Sequence, residues 1–224
     1  MEFLAALISI VVINLVLSGD NAVVIAMASR NLSVRQQKLA IFWGSAGAIG
    51  LRVILTTGAV FLLKVPLLKA IGGALLVWIA VKLLKEDECE KDACKEASCL
   101  WDAIKTIIIA DFLMSLDNVL AVAGASRGNV LLLIIGLAMS IPIIIYGSQI
   151  IVFLMKKFPL IIYVGAGILG WTAGEMIAGD QQVAAYFQRI MYILDLFLPA
   201  LLTVFVVAFG YWLNLRQKKK LRET

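Results

Sequence analysis

The chain has no histidine and only three cysteines among its 224 residues, and only 16% of its residues are charged. The lack of histidine removes the commonest transition-metal ligand. Cys89, Cys94 and Cys99 share one short charged segment without CxxC spacing. An odd, clustered set of this kind predicts neither a disulfide framework nor a zinc or redox site. Oxygen ligands are therefore what remains for chemistry inside the fold.

Apolar residues are abundant, at 62% of the chain, and the mean hydropathy is +0.98. A water-soluble domain of this size needs more polar surface, so the expected solvent is a lipid bilayer. The first apolar stretch lacks a basic leader and is too long for a cleavable signal peptide. Seven segments are long enough to cross a bilayer: 3–28, 37–63, 66–84, 101–125, 130–154, 159–178 and 192–214.

The basic residues flank the apolar segments, so they indicate membrane orientation and not a nucleic-acid partner. Of the 20 Lys and Arg residues, Arg52 and Lys82 fall inside predicted spans. The connections and termini on one side would carry fourteen of the rest, and Lys64, Lys69, Arg127 and Arg189 would lie on the other. The positive-inside rule then predicts a multi-pass protein of the cell membrane with its N-terminus outside and its C-terminus in the cytoplasm.

Two parts of the sequence repeat. Residues 14–30 (NLVLSGDNAVVIAMASR) align with 111–127 (DFLMSLDNVLAVAGASR), and residues 66–80 align with 159–173 through shared Pro, Gly and Trp. Three spans per copy would insert the second copy upside down, as in many secondary transporters. The predicted fold is therefore an all-α membrane protein with seven transmembrane helices. Its units are a first three-helix repeat (1–84), a charged cytoplasmic loop (85–100), an inverted second repeat (101–178), and a seventh helix with a basic tail (179–224).

Four carboxylates fall inside predicted spans, where a charge costs at least about 2.5–3.5 kcal/mol. They are Asp20, Asp111, Asp117 and Glu175. Helical spacing also predicts two matching polar stripes, one of Asn14, Ser18 and Asn21, and one of Asp111, Ser115 and Asn118. Asp20 and Asp117 lie beside these stripes, and a helix break at Gly19 would turn Asp20 inward.

The charge balance inside the membrane favours a bound cation. Arg52 and Lys82 offset two of the four carboxylates, and the remaining two negative charges would match one divalent ion. We expect Arg52 to pair with an aspartate or with Glu175. An oxygen-only ligand set suits manganese, calcium or magnesium, and it would serve a proton or sodium relay equally well.

The two Asp-Asn motifs, at 14–26 and 111–122, resemble those of the TerC family of integral membrane proteins, and more narrowly its bacterial YjbE-type branch. The resemblance covers about residues 3–214. It implies the inverted three-helix repeats of LysE-like transporters and export of divalent metals, chiefly manganese. It places the family's intramembrane acidic positions on Asp20, Asp111 and Asp117, with Asn21 and Asn118 as the paired amides. Asn14 stands where many larger relatives have an acidic residue.

Three functions compete at this point. The first is a divalent-cation exporter, with manganese as the expected substrate, calcium or magnesium as alternatives, and proton antiport as the expected coupling. The second is a membrane partner that delivers metal to secreted proteins through the secretion machinery, with residues 85–100 as the contact surface. The third, a membrane enzyme, is disfavoured because no nucleophile–base pair or cofactor fingerprint is present. A homo-oligomer is compatible with the first two functions.

Overall fold

A computed structural model describes the backbone of residues 19–58, 65–84, 93–126, 130–186 and 191–223. Side chains 93–97, 117–126, 130, 132–133, 191–193 and 217–223 lie outside the description. Throughout the described backbone the elements are helices. In chain order they are α1 (Gly19–Ser29), α2 (Val34–Thr57), α3 (Leu68–Leu84), α4 (Ala93–Ser126), α5 (Val130–Lys157), α6 (Leu160–Ala178), α7 (Gln181–Tyr186) and α8 (Met191–Glu223).

The all-helical prediction is confirmed for this part of the chain. Four of its helices are long and apolar enough to cross a membrane: Val34–Thr57, Ile134–Lys157, Leu160–Ala178 and Leu194–Arg216. Most of the predicted first span, 3–28, lies outside the described residues. α3 has 17 residues, about 26 Å of helix, which is slightly short of a typical bilayer core. The total of seven spans stays a prediction.

Polar groups point inward and large apolar groups point outward. Ser115, Ser140 and Ser148 are completely buried, whereas the exposed large side chains include Trp78 and Phe153, each more than 60% exposed. A water-soluble protein would have the opposite arrangement. The exposed apolar surface therefore fits a lipid environment, in which the bundle interior is the place for polar groups.

Helices α2 and α4 run parallel and pack closely. A Cβ on Gly44 would lie 2.9 Å from Ile107, and one on Gly47 would lie 2.7 Å from Ile108. Toward the start of both helices, Ala40 packs with Ala103 in a small cluster. Glycine at 44 and 47 lets the helix backbones approach, which brings the later residues of α2 beside the middle of α4.

Helices α3 and α8 both pack against α6, and each runs antiparallel to it. Gly73 faces the carbonyl oxygen of Ala173, 2.6 Å from the position that its Cβ would take, and Gly170 faces Thr203 in the same way at 2.9 Å. At the far end of α3, Asn214 Nδ2 donates hydrogen bonds to the Leu84 carbonyl (3.0 Å) and the Tyr163 hydroxyl (3.3 Å). Small residues on α6 therefore set the spacing of this half of the bundle.

Several boundaries differ from the prediction. α2 ends at Thr57 and not at 63, because the Gly58 N–H caps the helix by bonding to the carbonyl of Ile54. α4 begins at Ala93, so the second half of the predicted 85–100 loop is helical. That segment contains neither glycine nor proline, and 34 residues of helix, about 51 Å, extend well beyond a bilayer core. α8 is similarly long, with 33 residues.

The expectation that the cysteines form no disulfide is wrong, because Cys99 is disulfide-bonded. Its partner cysteine lies outside the described side chains. Since all three cysteines fall between 89 and 99, the bond closes only a short loop. It therefore constrains this segment locally and does not join separate helices of the bundle.

Candidate ion site

A buried ion pair lies between α2 and α4. Arg52 is 3% exposed, and its NH2 group donates a hydrogen bond to Asp111 Oδ1 at 2.6 Å. Arg52 Nε donates to Ser115 Oγ at 3.0 Å, and Ser115 Oγ donates to Asp111 Oδ2 at 3.3 Å. Both carboxylate oxygens of Asp111 are thus engaged, one by the guanidinium directly and one through the serine. Charge-assisted bonds of this kind are the strongest that a buried side chain can make.

Asp20 extends this cluster from α1. It is partly buried, and Arg52 and Asp111 both lie close enough to interact with it electrostatically. Its Oδ1 accepts a hydrogen bond from the Asn21 backbone N–H at 2.9 Å. The first N–H groups of a helix have no acceptor within the helix, so this bond satisfies one of them and orients the carboxylate. Three helices therefore contribute charged groups to one region.

Asn21 and Ser45 carry buried polar groups without partners. Asn21 is 3% exposed, and neither atom of its side-chain amide has a hydrogen-bond partner among the described residues. The hydroxyl of Ser45, which is 2% exposed, is in the same position. Each such group costs about 1–3 kcal/mol when buried, so each needs an explanation. The sequence analysis missed Ser45, although its spacing of seven residues before Arg52 places both on one face of α2.

Four predicted site residues cannot be placed by their side chains. Asn14 and Ser18 lie outside the described residues. At Asp117 and Asn118 only the backbone is described, and it continues α4 without interruption. Among the described side chains, no group of three His, Cys, Asp or Glu residues is gathered as in a metal site. The structure therefore brings together Asp20, Asn21, Asp111 and Ser115 with Arg52, and the rest of the predicted set stays a prediction.

Glu175 and Lys82 lie elsewhere, each beside a tryptophan. Trp171 Nε1 donates to Glu175 Oε1 at 2.8 Å, and Lys82 Nζ lies 5.8 Å from the centre of the Trp78 ring. Arg52 pairs with Asp111 and not with Glu175. Glu175 and Lys82 cancel in the charge balance, so removing both leaves it unchanged. Three aspartates, one of them known here only from the sequence, face one arginine.

Asp180 is a buried carboxylate that the sequence analysis did not identify. It is 4% exposed, and it accepts hydrogen bonds from the backbone N–H groups of Ala70 (3.3 Å) and Gln182 (3.0 Å). Its place just before α7, after Gly179, is a typical signal for a helix N-cap. The residue thus joins the start of α3 to the start of α7, a structural role outside the ion site.

Comparisons with known proteins place this architecture in a family. The family pattern described as "Integral membrane protein TerC family" matches residues 1–219. The uncharacterized membrane protein YjbE of Bacillus subtilis is 45% identical over 206 residues, covering 92% of this chain and 94% of its own. YkoY of the same organism is 28% identical over 180 residues, 72% of this chain and 56% of its own.

A third relative in that organism, YceF, is 29% identical over 160 residues, covering 67% of this chain and 62% of its own. No solved structure is significantly similar. The family match spans nearly the whole sequence, and the predicted resemblance to the family is thereby confirmed. With its apolar helices and inward polar groups, the chain belongs to the TerC family of integral membrane proteins.

Proposed function

We propose that this protein is a membrane transporter that exports divalent cations, with manganese as its principal substrate. The observation that carries the proposal is Asn21, whose buried amide has no hydrogen-bond partner and lies next to a carboxylate. An amide oxygen beside carboxylates is a ligand set for a hard cation. A buried amide that contacts only apolar groups would lower stability without any gain in function.

The charge of the cluster supports a divalent substrate. Asp20, Asp111 and Asp117 against Arg52 leave two formal negative charges in a region surrounded by apolar helices. Such a charge needs compensation in a bilayer, and an ion with two positive charges supplies it. The proposed ligands are Asp20, Asn21, Asp111, Asp117 and Asn118, with Ser115, Asn14 and Ser18 as further oxygen donors. Manganese and its alternatives, calcium and magnesium, share this ligand preference.

The proposed mechanism is alternating access between two inverted halves. The antiparallel packing of α3 and α6, whose sequences repeat, supports this arrangement. The ion enters from the cytoplasm and exchanges water for carboxylate and amide oxygens near the middle of the membrane. The two halves then rock, and the ion leaves on the outer side. Protons compete with the ion for the same carboxylates, so proton antiport is the proposed coupling.

The test is manganese efflux from metal-loaded cells that produce the full-length protein, compared with cells carrying an empty vector. Calcium and magnesium are measured in the same assay. We expect faster manganese loss with the protein. Asn21→Ala should slow this loss by about tenfold, the equivalent of one ligand contact of roughly 1.4 kcal/mol. Asn31→Ala is the matched control, because Asn31 is exposed in a turn and its loss should change nothing.

Equal loss of all three ions with and without the protein would overturn the exporter proposal. The alternative of a partner that delivers metal to secreted proteins would then take its place. An efflux rate that Asn21→Ala leaves unchanged would retain transport but remove this site from it. Rates that do not vary with the proton gradient would argue against proton coupling.

A further inference from the structure

The Arg52–Asp111 pair raises a conflict within the proposed transport cycle. Asp111 cannot give both of its oxygens to Arg52 and Ser115 and also bind an incoming ion. A divalent ion that takes Asp111 as a ligand must therefore displace the guanidinium. The bond is short and the arginine is 3% exposed, so water does not compensate either partner when they separate. Ion and arginine are alternatives for the same carboxylate.

Arg52 differs from the ion in one respect: it cannot leave the protein. Three aspartates without a counter-charge would be costly inside the bilayer, and this cost would be greatest when the transport site holds no ion. Asp20 lies within electrostatic range of Arg52 and Asp111. The guanidinium therefore reduces the charge of the whole cluster and not of Asp111 alone. A tethered cation of this kind stabilises the ion-free conformations that a carrier must pass through to return.

The two halves of the sequence show the same coupling of charges. The residue that aligns with Asp111 in the first half is Asn14, which is neutral. The helix of the second half that corresponds to α2 is 130–154, and it contains no Lys or Arg. The carboxylate and the arginine thus occur together in one half of the repeat and are absent together from the other. A general packing role for the arginine would not require this correspondence.

We propose that Arg52 is a tethered counter-cation that binds Asp111 in the ion-free carrier and is displaced when a divalent ion binds. The inference rests on the proposed function. It makes Arg52 a positioning residue that permits the empty carrier to return, so that transport produces net movement of ions. Without it, the ion-free site keeps an excess of negative charge. The carrier then crosses the membrane only when loaded, and it exchanges one ion for another without net efflux.

The test separates net efflux from exchange in vesicles that contain the purified full-length protein. Net efflux is the loss of Mn²⁺ into medium free of the ion, and exchange is the loss of radiolabelled Mn²⁺ into medium containing unlabelled Mn²⁺. We expect Arg52→Gln to lower the ratio of net efflux to exchange by at least about tenfold, since a whole charge is lost from a buried site. Arg35→Gln, a change at an exposed position, should leave the ratio as in the wild type.

A ratio that stays constant in Arg52→Gln, whether both rates fall together or neither changes, would overturn the inference and leave the exporter proposal in place. No exchange of Mn²⁺, Ca²⁺ or Mg²⁺ by the wild type would overturn both.

A second measurement applies if Arg52→Gln does not fold. Asp111→Asn alone and Asp111→Asn with Arg52→Gln both lack the buried ion pair. If Arg52 competes with the ion, the double variant should bind Mn²⁺ about tenfold more tightly than the single one. Equal or weaker binding by the double variant would overturn the inference.

Discussion

At the scale of single residues, the interior is organised around one arginine. Arg52 engages Asp111 and Ser115 directly and acts on Asp20 through space. The sequence predicted an arginine–carboxylate pair from charge balance alone. It did not identify the partner, because that depends on the close parallel packing of α2 and α4, which apolar periodicity does not encode.

Removing one member of this pair should destabilise the protein more than removing both. We expect Asp111→Asn to lower the free energy of unfolding by about 3–5 kcal/mol, because it leaves an uncompensated buried charge. The double change of Asp111→Asn with Arg52→Gln should recover most of that loss. Thermal unfolding in detergent provides the measurement, with Asp102→Asn as the control at an exposed position. Equal losses in the single and double variants would contradict the expectation.

At the scale of helices, small residues on α6 determine how closely its neighbours approach. Gly170 and Gly174 face Thr203 and Pro199 of α8. Proline within α8 is tolerated because neighbouring groups in a bundle satisfy the backbone that it leaves unpaired. Spacings of four between small residues are a known signal for helix association in membranes. The contact was therefore open to prediction from sequence, whereas the identity of the partner helix was not.

Two glycine substitutions should have opposite effects. Gly170→Ala would place a Cβ 2.9 Å from Thr203 Cα and 3.0 Å from the Leu202 carbonyl oxygen, and we expect a loss of about 1–3 kcal/mol from overpacking. Gly50→Ala meets nothing within 4 Å and should gain roughly 0.5–1 kcal/mol from helix propensity. Unfolding in detergent would measure both. A stabilising Gly170→Ala would show that α6 and α8 pack less closely than described.

At the scale of the whole molecule, the ends of the bundle sort by charge. Leu84, Tyr163 and Asn214 meet at one end, close in sequence to the basic residues predicted to face the cytoplasm. Ala70 and Asp180 meet at the other end. All-helical architecture and span positions were predictable, because long apolar runs determine them. The length of α4 beyond its span was not, since a helix in water leaves no apolar signal.

Labelling from one side of the membrane would test the orientation. In a cysteine-free variant on intact cells, a membrane-impermeant thiol reagent should label Gln181→Cys and should not reach Asn31→Cys until the cells are opened. Both positions are exposed, and the positive-inside rule places them on opposite sides. The reverse pattern would invert the orientation. Labelling of both positions on intact cells would contradict the arrangement of spans.

The continuous length of α4 has a mechanical consequence. Asp111 is 18 residues from the start of this helix at Ala93, a distance of about 27 Å at 1.5 Å per residue. No proline or glycine interrupts the segment between them, so it behaves as a lever arm. A tilt of about 10° around Asp111 would move the Ala93 end by about 5 Å. A small rearrangement deep in the bilayer is thereby magnified into a displacement large enough for another protein to sense.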